Sequence, residues 1–477
     1  MIFTSVATLQ SSGFAAKVCI IGSGPAGLSL ALQLERQKVP CLVLEAGGFE
    51  YTPESQAAYR GTVVGDVYRD LSATRLRHFG GTSGHWEGWC RALDDVDFQP
   101  KQGVAHSGWP IRKADLDPYA ARTAEILNLA PRATDAPVSD DLNEIHFQFS
   151  KPVVRFGEKY RKHIENSSLI GLLCGSPVVD IVPMGNRIDH LLVRGADGRA
   201  QKVSARAFCL CTGGIENSRL LLWANQLHQG GVVPKAEALG RYWMEHPHFG
   251  VGEAILEGFT RMRVEGGTRF YAPSAQYLRT HGGGNFGLRL LVGQNLAKAL
   301  IKDGLCYAPQ VFTDYARKLN AGLVCAAHLH LAWEQLPDSS NRIELDRELD
   351  ATGMARSKLY WRKSAEERRT AQTAVALFSQ WLARTNRGRV KVVPWLTQGL
   401  GYPDDDELIG YHHMGGTRMA SSAASGVVNS DCRVFDVANL YVGGSSVFPT
   451  GGHANPTFTI VQMALRLGDH LAQQLRG

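Results

Sequence analysis

No apolar run in this 477-residue chain reaches the roughly 18 residues that a membrane-spanning helix requires, so no span is expected. The opening stretch MIFTSVATLQSSGFA has no basic leader, no twin arginine and no long apolar segment. A signal peptide is therefore not expected, and the cytoplasm is the expected compartment. Cysteine is sparse: nine residues, an odd number without paired spacing, fit free thiols better than a disulfide framework. Cys209 and Cys211, two apart on one apparent strand, read as small buried hydrophobes, and no metal is assigned. Lys and Arg outnumber Asp and Glu by 51 to 45, giving a formal charge of +6. They are scattered among acids instead of forming stripes, so no nucleic-acid partner is expected. No internal repeat and no low-complexity segment interrupts the chain.

What is present is a globular composition, 44% hydrophobic and 20% charged, in a chain long enough for two cores. Lys17 to Ile21 form a short apolar run that flows into Gly22-Ser23-Gly24-Pro25-Ala26-Gly27; a helical stretch from Leu28 to Arg36 and a second apolar run, Cys41 to Leu44, follow. That order predicts a βαβ unit. Between Leu169 and Cys211, β-rich runs alternate with turn signals at Met184-Gly185-Asn186 and Ala196-Asp197-Gly198, predicting a meander that feeds another central strand. Gly213-Gly214 then precede a helical stretch from Ile215 to Leu222. A third strand, turn and helix, Leu440 to Val442, Gly443-Gly444 and Phe458 to Leu471, closes the chain.

The first turn carries the strongest single signal. Gly22 permits the tight exit from the strand, Gly24 lets backbone approach a pyrophosphate, and Gly27 lets helix and strand pack closely, with the helix N-terminus aimed at the phosphates. Glu45 ends the second strand 23 positions after Gly22, where a carboxylate accepts from ribose hydroxyls and repels a 2′-phosphate. A bound dinucleotide other than NADP is expected; the turn alone does not separate FAD from NAD.

Three further stretches bear on that choice: His78-Phe79-Gly80-Gly81-Thr82-Ser83-Gly84-His85-Trp86, His412-His413-Met414-Gly415-Gly416-Thr417-Arg418-Met419, and Gly452-His453-Ala454-Asn455-Pro456-Thr457. With the opening turn they resemble the glucose–methanol–choline (GMC) oxidoreductase family, nearest its bacterial sugar- and polyol-oxidising, pyranose-oxidase-like members. The resemblance covers the two ends and the middle strand–turn–helix, about half the chain. It implies an α/β fold, α+β overall, with a discontinuous Rossmann-like FAD-binding domain and an inserted substrate-binding domain on an antiparallel sheet. The expected division assigns 1–110, 165–250 and 403–477 to the FAD-binding part and 111–164 and 251–402 to the substrate part. Ala365 to Arg384 is expected as an amphipathic helix of the insertion.

The resemblance also implies hydride transfer from an alcohol carbon to flavin N5 while a histidine takes the hydroxyl proton. The H-x-x-G-T pattern puts that base at His413, with Asn455 as its partner on the substrate oxygen. His412, beside it, and His453, two positions before Asn455, reach the same site if the register differs. Asn455, before Pro456, has a second expected role as a cap of the final helix. Gly80, Gly81, Thr82 and Ser83 are expected against the flavin ring, and Gly443, Gly444, Ser445, Pro456 and Thr457 near the flavin. The family often carries an acid in the Gly443-Gly444 turn, and this chain has none. Val179 is the expected adenine neighbour, a position where a β-branched residue also serves packing. His85, before Trp86, resembles a histidine that some sugar-oxidising relatives bond covalently to the flavin; a non-covalent contact is the favoured expectation. Asn217 and Arg219 read equally as polar contacts or helix surface and receive no role. The expected partners are a small-molecule alcohol, such as a sugar, cyclitol or other polyol, and oxygen or another electron acceptor. A lyase that keeps FAD as a structural element and uses acid–base chemistry is the alternative, and an electron-transfer subunit a third reading.

Overall fold

The computed structural model describes residues 1–195, 197–258, 268–293, 296–404, 407–408 and 410–476. Ala196 of the expected second turn, and 259–267 of the expected insertion, lie outside them. Six strands form a wholly parallel sheet in the order Ile2–Phe3, Ile170–Leu173, Cys41–Leu44, Val18–Ile21, Ala207–Leu210 and Leu440–Val442. The interior strands carry four buried residues each, the pattern of parallel strands covered on both faces, which read as continuous apolar runs. Three distant stretches of chain thus meet in one sheet, and the C-terminal ends of Val18–Ile21, Ala207–Leu210 and Leu440–Val442 open on the same edge.

The helix Pro25–Arg36 follows the first turn, with Pro25 in its opening turn and nine buried residues. The last helix, Thr457–Gln474, lies across it, and Asp469 Oδ1 accepts from Gln33 Nε2 and Gln37 Nε2, both at 2.6 Å. Val178–Met184, Arg187–Arg194 and Ala200–Val203 form the antiparallel meander ahead of Ala207–Leu210.

A second, seven-stranded antiparallel sheet runs Gly388–Val392, His248–Glu257, Val324–Trp333, Phe286–Val292, Thr268–Pro273, Leu142–Ile145 and Ala136–Pro137. The helix Ala365–Arg384, begun by a Ser364/Glu367 capping box, covers one face. Its Ala371, Val375 and Phe378 share a core with Leu288, Leu290, Leu329 and Leu331. Strand alternation sends Gly287, Arg289, Leu291, His330 and Ala332 to the other face, onto a large cavity. A third sheet crosses the division drawn from the sequence: Gly61–Gly65 pairs in parallel with Ala355–Trp361, itself paired with Arg342–Leu349.

Candidate active site

The cavity, about 850 Å³, runs between the parallel sheet's C-terminal edge and the open face of the antiparallel sheet. Gly22, at φ +101°, leaves the strand in a conformation that L side chains rarely adopt, and a Cβ on Gly27 would lie 2.0 Å from the Gly22 carbonyl oxygen. Gly27 therefore serves helix–strand packing and does not itself line the cavity. Gly24 has no atom within 4 Å of where a Cβ would stand, and it begins the helix without a side-chain cap. The turn consequently offers uncapped N–H groups to the cavity, a cradle for an anion.

Ser23 organises this end. Its hydroxyl donates to Glu45 Oε2 at 2.6 Å and accepts from the Gly80 N–H at 3.1 Å, while Glu45 Oε1 accepts from the Gly47 N–H at 2.8 Å. The Gly80-Gly81 loop is thereby fastened over the glycine turn. Arg155 braces the loop from outside, donating to the Ser83 and Trp86 carbonyls at 2.9 and 2.7 Å. Thr82, Ser83 and His85 border the cavity; partial desolvation of its ring and neighbouring Arg155 and His78 push the His85 imidazole below its ordinary range. Val179 does not face the cavity. Its carbonyl accepts from Trp223 Nε1 at 3.1 Å, and the preceding Val178 lines the wall, as alternation along a strand requires.

The opposite end holds the histidines, and there the pairing differs from the expected one. Asn455 Nδ2 donates to His412 Nε2 at 3.0 Å, and the other nitrogen of that ring, Nδ1, lies 2.9 Å from His246 Nδ1. With Nε2 accepting, a neutral His412 carries its proton on Nδ1 and directs a lone pair at Asn455. His413 instead turns away to Tyr68, its Nε2 lying 3.1 Å from the phenol oxygen. Because the Tyr68 O–H donates to Glu245 Oε2 at 2.6 Å, the phenol oxygen accepts and His413 Nε2 must be the donor. His413 thus has no lone pair at that nitrogen. The local reason is in the backbone: Glu245 Oε1 accepts the His412 N–H at 2.6 Å, and Ser445 Oγ binds the His413 carbonyl at 2.5 Å, so the two adjacent side chains are directed apart. Burial lowers the basicity of both rings, that of His413 to about 3, so both are neutral near pH 7.

Glu245, fully buried and pushed up to about 7 by burial, organises both histidines, and no motif signalled it. It lies in the unremarkable run Trp243-Met244-Glu245-His246, and only the fold brings that run beneath the C-terminal histidines. His453 borders the same cavity. Its side chain is wholly buried, with Nε2 3.5 Å from Asp94 Oδ2, and it makes no contact with His412 of the kind Asn455 makes.

Asn455 does not cap the last helix, which starts behind Pro456 without a side-chain cap. Pro456 and Thr457 border the cavity there, as do Gly444 and Ser445, whereas Gly443 packs against Cys211 Sγ. Asn217 and Arg219 are buried and hydrogen-bonded into the framework, and Arg219 also borders the cavity. Asn217 donates to the Gly443 carbonyl at 2.9 Å and accepts from the Thr212 N–H at 2.9 Å, bridging two strand ends. Arg219 joins Glu216 and Asp350, at 3.1 and 2.6 Å, in an ion network that includes Arg75. Among the described residues no group of three or more His, Cys, Asp or Glu side chains is arranged to hold a metal ion, and no helix is long and apolar enough to cross a membrane.

Residues 337–464, a span that includes both His412 and Asn455, match the family model described as GMC oxidoreductase. The C-terminal part of the chain thus carries a GMC oxidoreductase signature. The chain is 22% identical to 2-methyl-1,2-propanediol dehydrogenase of Mycolicibacterium austroafricanum, across 96% of its own length and 95% of the relative's. It is 23% identical to the fructose dehydrogenase large subunit of Gluconobacter japonicus, over 61% of its length and 52% of that protein. In fold, the chain resembles the crystal structure of pyridoxine 4-oxidase from Mesorbium loti, with a TM-score of 0.58, 16% identity and coverage of 96% and 99% of the two chains.

Proposed function

We propose that this protein oxidises an alcohol carbon of a sugar, cyclitol or other polyol with FAD, using His412 as the base. The observation that carries the reading is the 3.0 Å contact of His412 Nε2 with Asn455 Nδ2 in the cavity that also contains the Gly22 to Gly27 turn. The open cradle at Gly24 fits a pyrophosphate, Glu45 fits a ribose, and a long cavity connects them to the histidines. In this reading the parallel-sheet unit holds FAD and the antiparallel sheet faces the substrate. FAD supplies the hydride acceptor, at N5 of its ring. A substrate hydroxyl entering between the two side chains gives its proton to His412 Nε2 while the Asn455 amide donates to its oxygen. Glu245 and His246 position the His412 ring, and the uncapped start of Thr457–Gln474 offers N–H groups to an electron-rich ring edge. Oxygen or another acceptor would take up the electrons that a bound FAD receives.

His85 lies at the cavity border as a non-covalent flavin neighbour in this reading. Acid precipitation is expected to release all yellow colour into the supernatant; colour retained on the protein would show a covalent bond.

The test of function is anaerobic mixing of the FAD-loaded protein with sugars, glycosides, cyclitols and aliphatic and aryl alcohols. Bleaching of the flavin by at least one class is the expected result. Product formed without bleaching would contradict oxidation and favour the lyase, a reading that no feature of the site supports.

A further inference from the structure

One cross-strand row of the antiparallel sheet faces the cavity with a charge that the reaction does not use. Phe270 pairs with Arg289 and Arg289 with His330, on three adjacent strands. All three border the cavity. The Arg289 guanidinium stands 5.4 Å from the Trp89 ring centroid and 5.9 Å from that of Phe270. Its Nε is buried without a hydrogen-bond partner, and among the described residues the guanidinium forms no ion pair. Glu87 acts on it only through its field. A guanidinium keeps its charge in proteins, so this is a half-buried cation facing a binding cavity, with no carboxylate bonded to it among the described residues.

Its place relative to the reacting end follows from the register. Gly287, two residues earlier on the same face, is so close to His453 that a Cβ there would meet Nδ1 at 2.8 Å. Two residues of strand span about 7 Å. From the other side, His330 lies 6.1 Å from His248, which is close enough to His412 to depress its basicity. A continuous wall therefore leads from His412 through His248 and His330 to Arg289.

The geometry points to a substrate that carries a carboxylate as well as the alcohol to be oxidised, a hydroxy acid of the sugar-acid type, with Arg289 binding the carboxylate and Trp89 and Phe270 flanking the guanidinium. One cation matches one negative charge: burial keeps His248 and His330 neutral near pH 7, so the wall offers a single positive group, which suits a carboxylate better than a doubly charged phosphate. The inference rests on the reading of this cavity as an alcohol-oxidising site, but binding can be measured apart from oxidation.

The test is anaerobic calorimetric titration of FAD-loaded enzyme, its flavin reduced beforehand so that no turnover occurs. The ligands are D-gluconate and D-glucuronate, their uncharged counterparts D-sorbitol and D-glucose, and D-glucose 6-phosphate. At least one acid is expected to bind about 10-fold or more tightly than its uncharged counterpart, as a charge-assisted bond requires. Arg289→Met is expected to remove that preference and Arg289→Lys to retain part of it, with flavin content and far-UV circular dichroism unchanged in the lysine variant. Equal affinity for acids and uncharged counterparts, a preference that survives Arg289→Met, or tighter binding of the phosphate ester than of either acid would overturn the inference. Arg289-dependent acid binding without flavin reduction by the same acid in oxidised enzyme would uphold it and count against the oxidation reading instead.

Discussion

At the scale of single residues, the site depends on a buried carboxylate. Glu245 receives two backbone N–H groups and the Tyr68 hydroxyl, yet burial dominates and lifts its pKa from 4.5 to about 7. A carboxyl raised in the folded state contributes stability that is complete below its unfolded value and lost as pH rises through the folded one. Glu367, also buried and lifted to about 7, acts in the same direction. The buried histidines act oppositely. His246, His248 and His413, held at about 3 to 4, contribute above their ordinary 6.5 and lose that contribution only as pH falls toward 4 and 3. Between pH 6.5 and 8 the carboxyls oppose the histidines, whose unfolded forms finish losing their protons there. Across that interval the melting temperature of the wild type is expected to have a more negative slope with pH than that of Glu245→Gln; equal slopes in thermal melts of the two proteins would refute this assignment. His412 and His413 show what sequence reasoning can resolve at this scale. A motif ending in Gly416-Thr417 identifies a histidine pair, but which ring faces Asn455 depends on the Glu245 and Ser445 contacts, made by residues 167 and 32 positions away.

At the scale of elements, the glycine turn is a packing device as much as a binding one. A methyl group on Gly27 would meet the Gly22 carbonyl at 2.0 Å, so the helix Pro25–Arg36 would have to move off its strand. Gly27→Ala is expected to yield protein that emerges colourless or with much reduced flavin, while the antiparallel sheet and its covering helix keep their secondary structure. Full flavin occupancy by absorbance would contradict that reading. Elements with strong local signals were legible in the sequence. Cys41–Leu44, Leu440–Val442 and Ala365–Arg384 form over the expected residues, and Pro25–Arg36 starts three residues before the expected helix because Pro25 suits a first helical turn. Elements whose partners are remote were not. Gly61–Gly65 finds its partner in Ala355–Trp361, nearly 300 residues away, and nothing in a glycine- and valine-rich pentapeptide specifies that pairing.

At the scale of the whole molecule, chain order and spatial order diverge, and the site lies where they cross. The parallel sheet assembles strands from residues 2–44, 170–210 and 440–442. Its strand ends bring the glycine turn from one end of the chain beneath the C-terminal histidines, while the antiparallel sheet adds Arg289 and His330 from the intervening sequence. Motifs marked the parallel-sheet side of the cavity. The opposite wall carries none, because its side chains converge through strand register and not through proximity along the chain. The most direct measurement of the proposed chemistry is single-turnover flavin bleaching under anaerobic conditions, with one reducing alcohol and three FAD-loaded proteins: wild type, His412→Ala and His413→Ala. Loss of the base is expected to slow bleaching by His412→Ala about 100- to 10,000-fold, with flavin content preserved, and His413→Ala should be affected far less. Bleaching of His412→Ala at the wild-type rate, or a larger loss in His413→Ala, would contradict the assignment of His412 as the base.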